Sequence, residues 1–191
     1  MRQRLVQSLL VAGLLAGCAG ESSIKSAEVL DEHTGVTVGA LQQPLEFVET
    51  GGNAGPGAGR RASFAYLGPL EWDRSGDITY GLWIHVAPGN DRPVADIHAT
   101  GALTMTLDDG PLALTGLDSP AAGSGPYRPV ASWGQTGYYA ADAGMLKRMS
   151  HSDKIMLEFR GTDGVTVEFT PTRETRATLA KFAHARGITD D

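Results

Sequence analysis

The sequence predicts a mainly β domain, an antiparallel β-sandwich or barrel carrying a short helix near residues 142–150 and a C-terminal helix. Three observations point there. Apolar and polar residues alternate over short stretches along most of the chain, the period-two pattern of half-buried strands. Glycine-bearing turns separate those stretches, among them Arg74-Ser75-Gly76 and Thr162-Asp163-Gly164, and the chain holds 25 glycines. Helical periodicity is confined to the last third of the sequence.

The chain begins with Arg2 and Arg4, followed by an apolar run from Leu5 to Leu15 that only Gln7, Ser8 and Gly13 interrupt. That is the layout of an export signal, and the run is shorter than the roughly 20 residues that span a bilayer as a helix. It ends in Leu15-Ala16-Gly17-Cys18, which contains the chain's one cysteine. This tetrad resembles the lipobox of bacterial lipoproteins at all four positions. The resemblance implies a diacylglycerol on the Cys18 thiol, cleavage between Gly17 and Cys18, and acylation of the new amino group by a chain such as palmitate. Each buried methylene contributes about 0.8 kcal/mol, so two or more chains hold a membrane stably where one does not. Ala19, in place of Asp, resembles outer-membrane lipoproteins of diderm bacteria, which implies a cell-envelope protein whose domain faces the periplasm. Residues 1–17 are then the signal, 18–33 the lipidated N-terminus with a flexible tether, and 34–191 a single β-rich domain.

Strand signals run from Gly35 to Leu41 and from Leu45 to Glu49. Residues 51–61, Gly-Gly-Asn-Ala-Gly-Pro-Gly-Ala-Gly-Arg-Arg, are rich in glycine, yet a phosphate cradle needs a helix directly afterwards. Here Phe64, Tyr66, Leu70 and Trp72 alternate like a strand instead, so the segment reads as a surface loop. Even-numbered Ile78, Tyr80, Leu82, Ile84 and Val86 follow. Matching even with even requires an odd loop, which Arg74-Ser75-Gly76 supplies with Trp72 opposite Ile78. Ile97, Leu103, Met105 and Leu107 switch to odd numbers and Leu112 and Leu114 back to even, so the turn at Asp108-Asp109-Gly110-Pro111 has an even loop, with four residues favoured by Pro111. Residues 118–129 read as a long loop. Tyr138 to Ala141 is a short strand, and Asp142 caps a helix with Met145, Leu146 and Met149 on its apolar side. Ile155, Leu157 and Phe159 face Val165, Val167 and Phe169 across Thr162-Asp163-Gly164. The last helix spans about Arg173 to Arg186, presents Leu179, Phe182 and Ala183, and ends at Gly187.

Composition narrows the function. Without Arg2 and Arg4, 14 basic residues face 22 acidic ones, a formal charge of −8. That argues against nucleic acid as a partner. With Cys18 lipidated, no thiol is left for a disulfide, for thiol catalysis or for a cysteine-ligated metal.

Several residues invite chemistry. If Val86 faces Ile97, the same register puts His85 opposite His98 on the outer face, with Asp96 nearby, and two imidazoles with a carboxylate are a ligand set for zinc, copper or nickel. A solvated histidine pair is the plainer account, and neither a metal nor a cofactor is expected. Glu158 and Glu168 oppose each other, a spacing used in glycoside hydrolysis, although a regular hairpin with Arg160 alongside suits solvated charges better. Ser150-His151-Ser152-Asp153 suits capping better than a relay. Trp133 and Tyr138, with Tyr139 and intervening polar residues, form a segment able to stack on a sugar ring or a protein partner. The expected function is a lipid-anchored, non-catalytic binding or accessory module whose partner is an envelope protein or glycan. An envelope hydrolase or metal-dependent enzyme built from loops is the alternative, and a carrier of small apolar ligands is a third reading.

Overall fold

The alternating stretches pair into one antiparallel sheet in a computed structural model that describes residues 25–50, 63–89, 96–99, 101–117, 126–173 and 175–188. The signal, Cys18 and the loop at 51–61 lie outside the described residues. The described strands are β1 (Ser26–Asp31), β2 (Val36–Leu41), β3 (Leu45–Glu49), β4 (Phe64–Arg74), β5 (Asp77–Ala87), β6 (Leu103–Leu107), β7 (Gly110–Leu112), β8 (Thr115–Leu117), β9 (Gln135–Ala141), β10 (Ile155–Arg160) and β11 (Thr166–Pro171). The helices are α1 (Ala143–His151) and α2 (Thr175–Ala185). The fold is mainly β, as the sequence predicts, and the sheet curls into a half-barrel.

The strand order is β7-β6-β10-β11-β3-β4-β5-β9-β8, with β2 also on β4 and β1 on β2. β4 is the trunk. One of its edges pairs with β5 throughout, while the other is shared, residues 64–67 taking β3 and 70–73 taking β2. Pro69, which has no N–H to offer, stands at this fork. Tyr127 fills it: the Leu41 N–H donates to the Tyr127 hydroxyl at 2.8 Å, and that hydroxyl donates to the Pro69 carbonyl at 3.1 Å. Backbone groups left over where two ladders part are thus satisfied.

Cross-strand neighbours share a face. Leu157, Phe169, Phe47, Leu67, Ile84 and Tyr139 lie on one, and Leu146 and Met149 of α1 and Leu179 and Phe182 of α2 join the same core. Tyr66, Trp83 and His85 point to the other face, which is also covered: every residue from Gly81 to Ala87 is buried. Both helices follow their sequence signals. Asp142 accepts the Met145 N–H at 2.6 Å, and α2 ends where Gly187, at φ 69°, lets the Gly187 and Ile188 N–H groups return to His184 and Ala183. α2 packs beside α1.

Four expectations need correction. The β4–β5 turn has two residues, Ser75-Gly76, both at positive φ, so Arg74 pairs with Asp77 and Trp72 with Thr79 rather than Ile78. Alternation misleads there because both faces are buried, while Ile78 at the tip is exposed. The β6–β7 loop is even but closes over Asp108-Asp109, with Leu107 opposite Gly110. Pro111 is accommodated because β7 is an edge strand. Residues 26–31, expected within the tether, form β1. As an edge strand with exposed Val29 and Leu30, β1 lacks the alternation that would reveal it. Finally, Ile97 sits in a turn, and Val86 pairs with Gln135. The β10–β11 hairpin has the expected register, Glu158 opposite Glu168.

Candidate functional site: an aromatic loop on a buried histidine

His85 is fully buried, so it does not stand on an outer face. Its cross-strand neighbours are Tyr66 on β4 and Thr136 on β9. His98 lies in the 97–99 turn, where its N–H donates to the Asp96 carboxylate at 2.9 Å. The register that would have brought His85 and His98 together does not occur, and the metal reading of His85, Asp96 and His98 goes with it. Among the described residues no group of three His, Cys, Asp or Glu side chains converges.

What His85 does is hold a loop. The Ala131 N–H donates to its Nε2 at 3.4 Å, which makes that nitrogen the acceptor. The ring proton therefore sits on Nδ1 and donates to Thr136 Oγ1 at 2.8 Å. The ring stacks on Trp83, with centroids 5.7 Å apart and planes 16° apart, and Tyr66 tilts over it at 6.2 Å. Burial pushes its pKa below the ordinary histidine value, against a smaller opposing pull from the Ala131 and Gln135 backbone. The neutral imidazole is the resting form.

The loop itself, residues 126–134, is fastened at three points. Tyr127 lies against the Gly68 backbone, its ring 5.3 Å from Trp83, and its hydroxyl fills the fork on β4. Ala131 is held by His85. Gly134 closes a turn by donating its N–H to the Ala131 carbonyl at 3.1 Å, and it is so close to the imidazole that a Cβ there would fall 2.5 Å from Nε2. Glycine is required at that approach. The chain then enters β9, where the Gln135 side chain accepts the Ile97 N–H at 2.8 Å. Against this fastened backbone two apolar side chains are left in solvent, Val130 and Trp133, the latter 62% exposed.

Of the aromatic segment singled out by sequence, then, Trp133 is displayed, Tyr138 is half-buried beside Trp83, and Tyr139 belongs to the core. The Tyr139 hydroxyl donates to the Ile97 carbonyl at 2.9 Å, and burial pushes its pKa up to about 12. Glu158 and Glu168 stay on a regular hairpin, with Thr104 as the other neighbour of Glu158. Ser150, His151 and Ser152 bond the carbonyls of Lys147 and Arg148 at the end of α1, the capping role expected of them.

A second buried polar group lies at the opposite corner. Arg186, past the end of α2, reaches across Gly39 to Glu71 at 3.4 Å and Glu28 at 2.6 Å, and it also donates to Ser26 Oγ and the Ala27 carbonyl. Burial raises the Glu71 pKa more than Arg186 lowers it. This is a fastening of Arg186, just past α2, to β1 and β4.

Val130 and Ala131 escaped the sequence reading, and Gly134 entered it only as part of the aromatic segment, since the contacts of Ala131 and Gly134 with His85 cross dozens of residues. Gly134 beside an aromatic was the available signal. Comparison with known proteins finds no matching family model, no similar curated protein and no similar solved structure.

Proposed function

We propose that the protein is a lipid-anchored component of the cell envelope that acts as a non-catalytic binding module, meeting a protein partner through Trp133 and Val130. The carrying observation is the display of Trp133 on a loop whose backbone is fastened from behind by Tyr127, His85 and Gly134. A tryptophan on a fastened backbone has only its two side-chain torsions to lose on binding, and burying an indole contributes roughly 2–3 kcal/mol. Tryptophan is enriched among the residues that dominate interfaces. A second exposed apolar side chain on the same loop, Val130, favours an apolar protein contact over a sugar ring, which would want hydrogen-bonding neighbours. The anchor reading comes from Leu15-Ala16-Gly17-Cys18, and its place is an outer membrane in a diderm bacterium, with the domain facing the periplasm.

Both halves have direct tests. Cys18→Ser is expected to move the protein from the membrane to the soluble fraction, and firm membrane association of that variant removes the anchor. A photoreactive phenylalanine analogue placed at position 133 of the full chain, in its own cells, is expected to capture one discrete partner that the same probe at exposed Val165 does not. Trp133→Ala should then lower recovery of that partner about tenfold. Equal adducts at both positions, or recovery untouched by Trp133→Ala, sinks the binding role; sedimentation with isolated cell-wall glycan reads the other partner class.

A further inference from the structure

We propose that the free edge of β1 is where the protein meets a second copy of itself, the two β1 strands running antiparallel about a two-fold axis at Val29. β1 ends the branch of the sheet that runs through β2, and among the described strands none pairs with its other side. The sheet's two remaining ends, β7 and β8, have three residues each, and Pro111 of β7 has no N–H to give. β1 has six residues and no proline, lysine or bulge to blunt it. Its Val29 and Leu30, which point to opposite faces, are 46% and 59% exposed.

The polar groups on that edge follow from the ladder. The Lys25 carbonyl accepts the Gln42 N–H at 2.7 Å, so odd-numbered residues of β1 turn their backbone towards β2. Ser26, Glu28 and Leu30 turn theirs away, and their N–H and C=O groups are what a further strand takes up.

Charge and shape choose the occupant and its register. Outward-turned residues must oppose outward-turned residues, so a two-fold axis passes through a residue and not between two. An axis at Glu28 sets that carboxylate against its own copy, and one at Leu30 sets Glu28 against Glu32; like charges directly opposite are unfavourable. An axis at Ala27 leaves Leu30 opposite residue 24, outside the strand. At Val29 these conflicts vanish. Val29 meets Val29 in a close pair, Glu28 meets Leu30, Ala27 meets Asp31, and the two Leu30 side chains come within reach on the diagonal. Glu28 is also held by Arg186 at 2.6 Å, which offsets its charge.

So short a contact falls well below the roughly 1,000 Å² of a stable interface in solution. A membrane makes up the difference. Cys18 stands eight residues ahead of Ser26, a reach of at most about 28 Å, and holding both copies on one surface raises their effective concentration. The two-fold axis lies normal to the joined sheet, so both tethers can reach one bilayer. That help rests on the anchor reading proposed above; the edge and its register do not.

Disulfide trapping of the full lipidated chain in phospholipid vesicles, with copper phenanthroline as oxidant and circular dichroism to confirm that each variant is folded, reads the register. Val29→Cys puts two Cα atoms about 4.5 Å apart across the axis, within disulfide reach, whereas Leu30→Cys leaves them about 7–8 Å apart on the diagonal. Val29→Cys is expected to give covalent dimer at least tenfold faster than Leu30→Cys or the exposed control Val165→Cys. In the Val29→Cys background, Leu30→Glu, which faces Glu28 of the other copy, is expected to slow trapping at least fivefold, and Leu30→Lys to leave it within twofold. Equal rates at positions 29, 30 and 165 overturn the pairing, as do faster trapping at 30 than at 29, or Leu30→Glu and Leu30→Lys acting alike. Cys18→Ser combined with Val29→Cys is expected to trap at least tenfold more slowly at the same total concentration, and an undiminished rate in protein that has left the membrane removes the membrane's part. If Cys18→Ser protein stays with the membrane, the anchor reading fails while the position dependence still judges the edge.

Discussion

At the scale of single residues, large side chains are accommodated by absent ones. Gly39 makes room for Arg186, Gly68 for Tyr127, Gly81 for Trp72 and Gly134 for His85, each at a distance where a Cβ would collide. Tyr127 shows what such a placement contributes. Its hydroxyl answers two buried backbone groups at once, so Tyr127→Phe leaves the Leu41 N–H without a partner and is expected to destabilise the domain by about 1–3 kcal/mol in a denaturant titration. A loss within error of zero would mean that water or a shifted carbonyl replaces the hydroxyl. Little of this was legible in the sequence. Glycines inside strand patterns announce a close approach, but nothing local says that Tyr127 will reach Leu41, 86 positions away.

At the scale of elements, legibility depended on whether a strand had one buried face or two. β10 and β11 alternate cleanly, and both their register and their Thr162-Asp163-Gly164 turn follow from parity. β4 and β5 are buried on both faces over much of their length, so Trp72 and Ile78 looked like partners when the true register is offset by one. The difference lies in Ser75, which adopts φ 55° so that a two-residue turn can close. Such a conformation suits asparagine or glycine better than serine. Ser75→Asn is accordingly expected to raise stability by about 0.5–1 kcal/mol, read as a higher melting temperature with unchanged ligand-independent spectra. A fall would mean that the Ser75 hydroxyl has a role of its own in the tip.

At the scale of the whole molecule, the first and last described elements are brought to one corner. β1 opens the described domain and α2 closes it, and Arg186 ties them together through Glu28, Ser26 and Ala27 while neutralising Glu71 on the trunk strand. The Arg186 side chain is only 5% exposed and that of Glu71 10%, so removing the cation strands a buried carboxylate. Arg186→Met is expected to cost about 3–5 kcal/mol, and Arg186→Met with Glu71→Leu much less, by denaturant titration of both. Equal losses in the single and double variants would show that packing, not charge, is what Arg186 provides. The sequence pattern puts this arginine only at the end of the last helix and the first strand in a tether, because the pairing that defines both spans 158 positions. The corner also has a mechanical side. A pull along the axis of β1 would load the β1–β2 hydrogen bonds together in shear, whereas a pull at right angles to this edge strand would open them one by one from Ser26. Arg186 grips the strand at that very end, through Ser26 and Ala27, so the peeling route is the one it clamps.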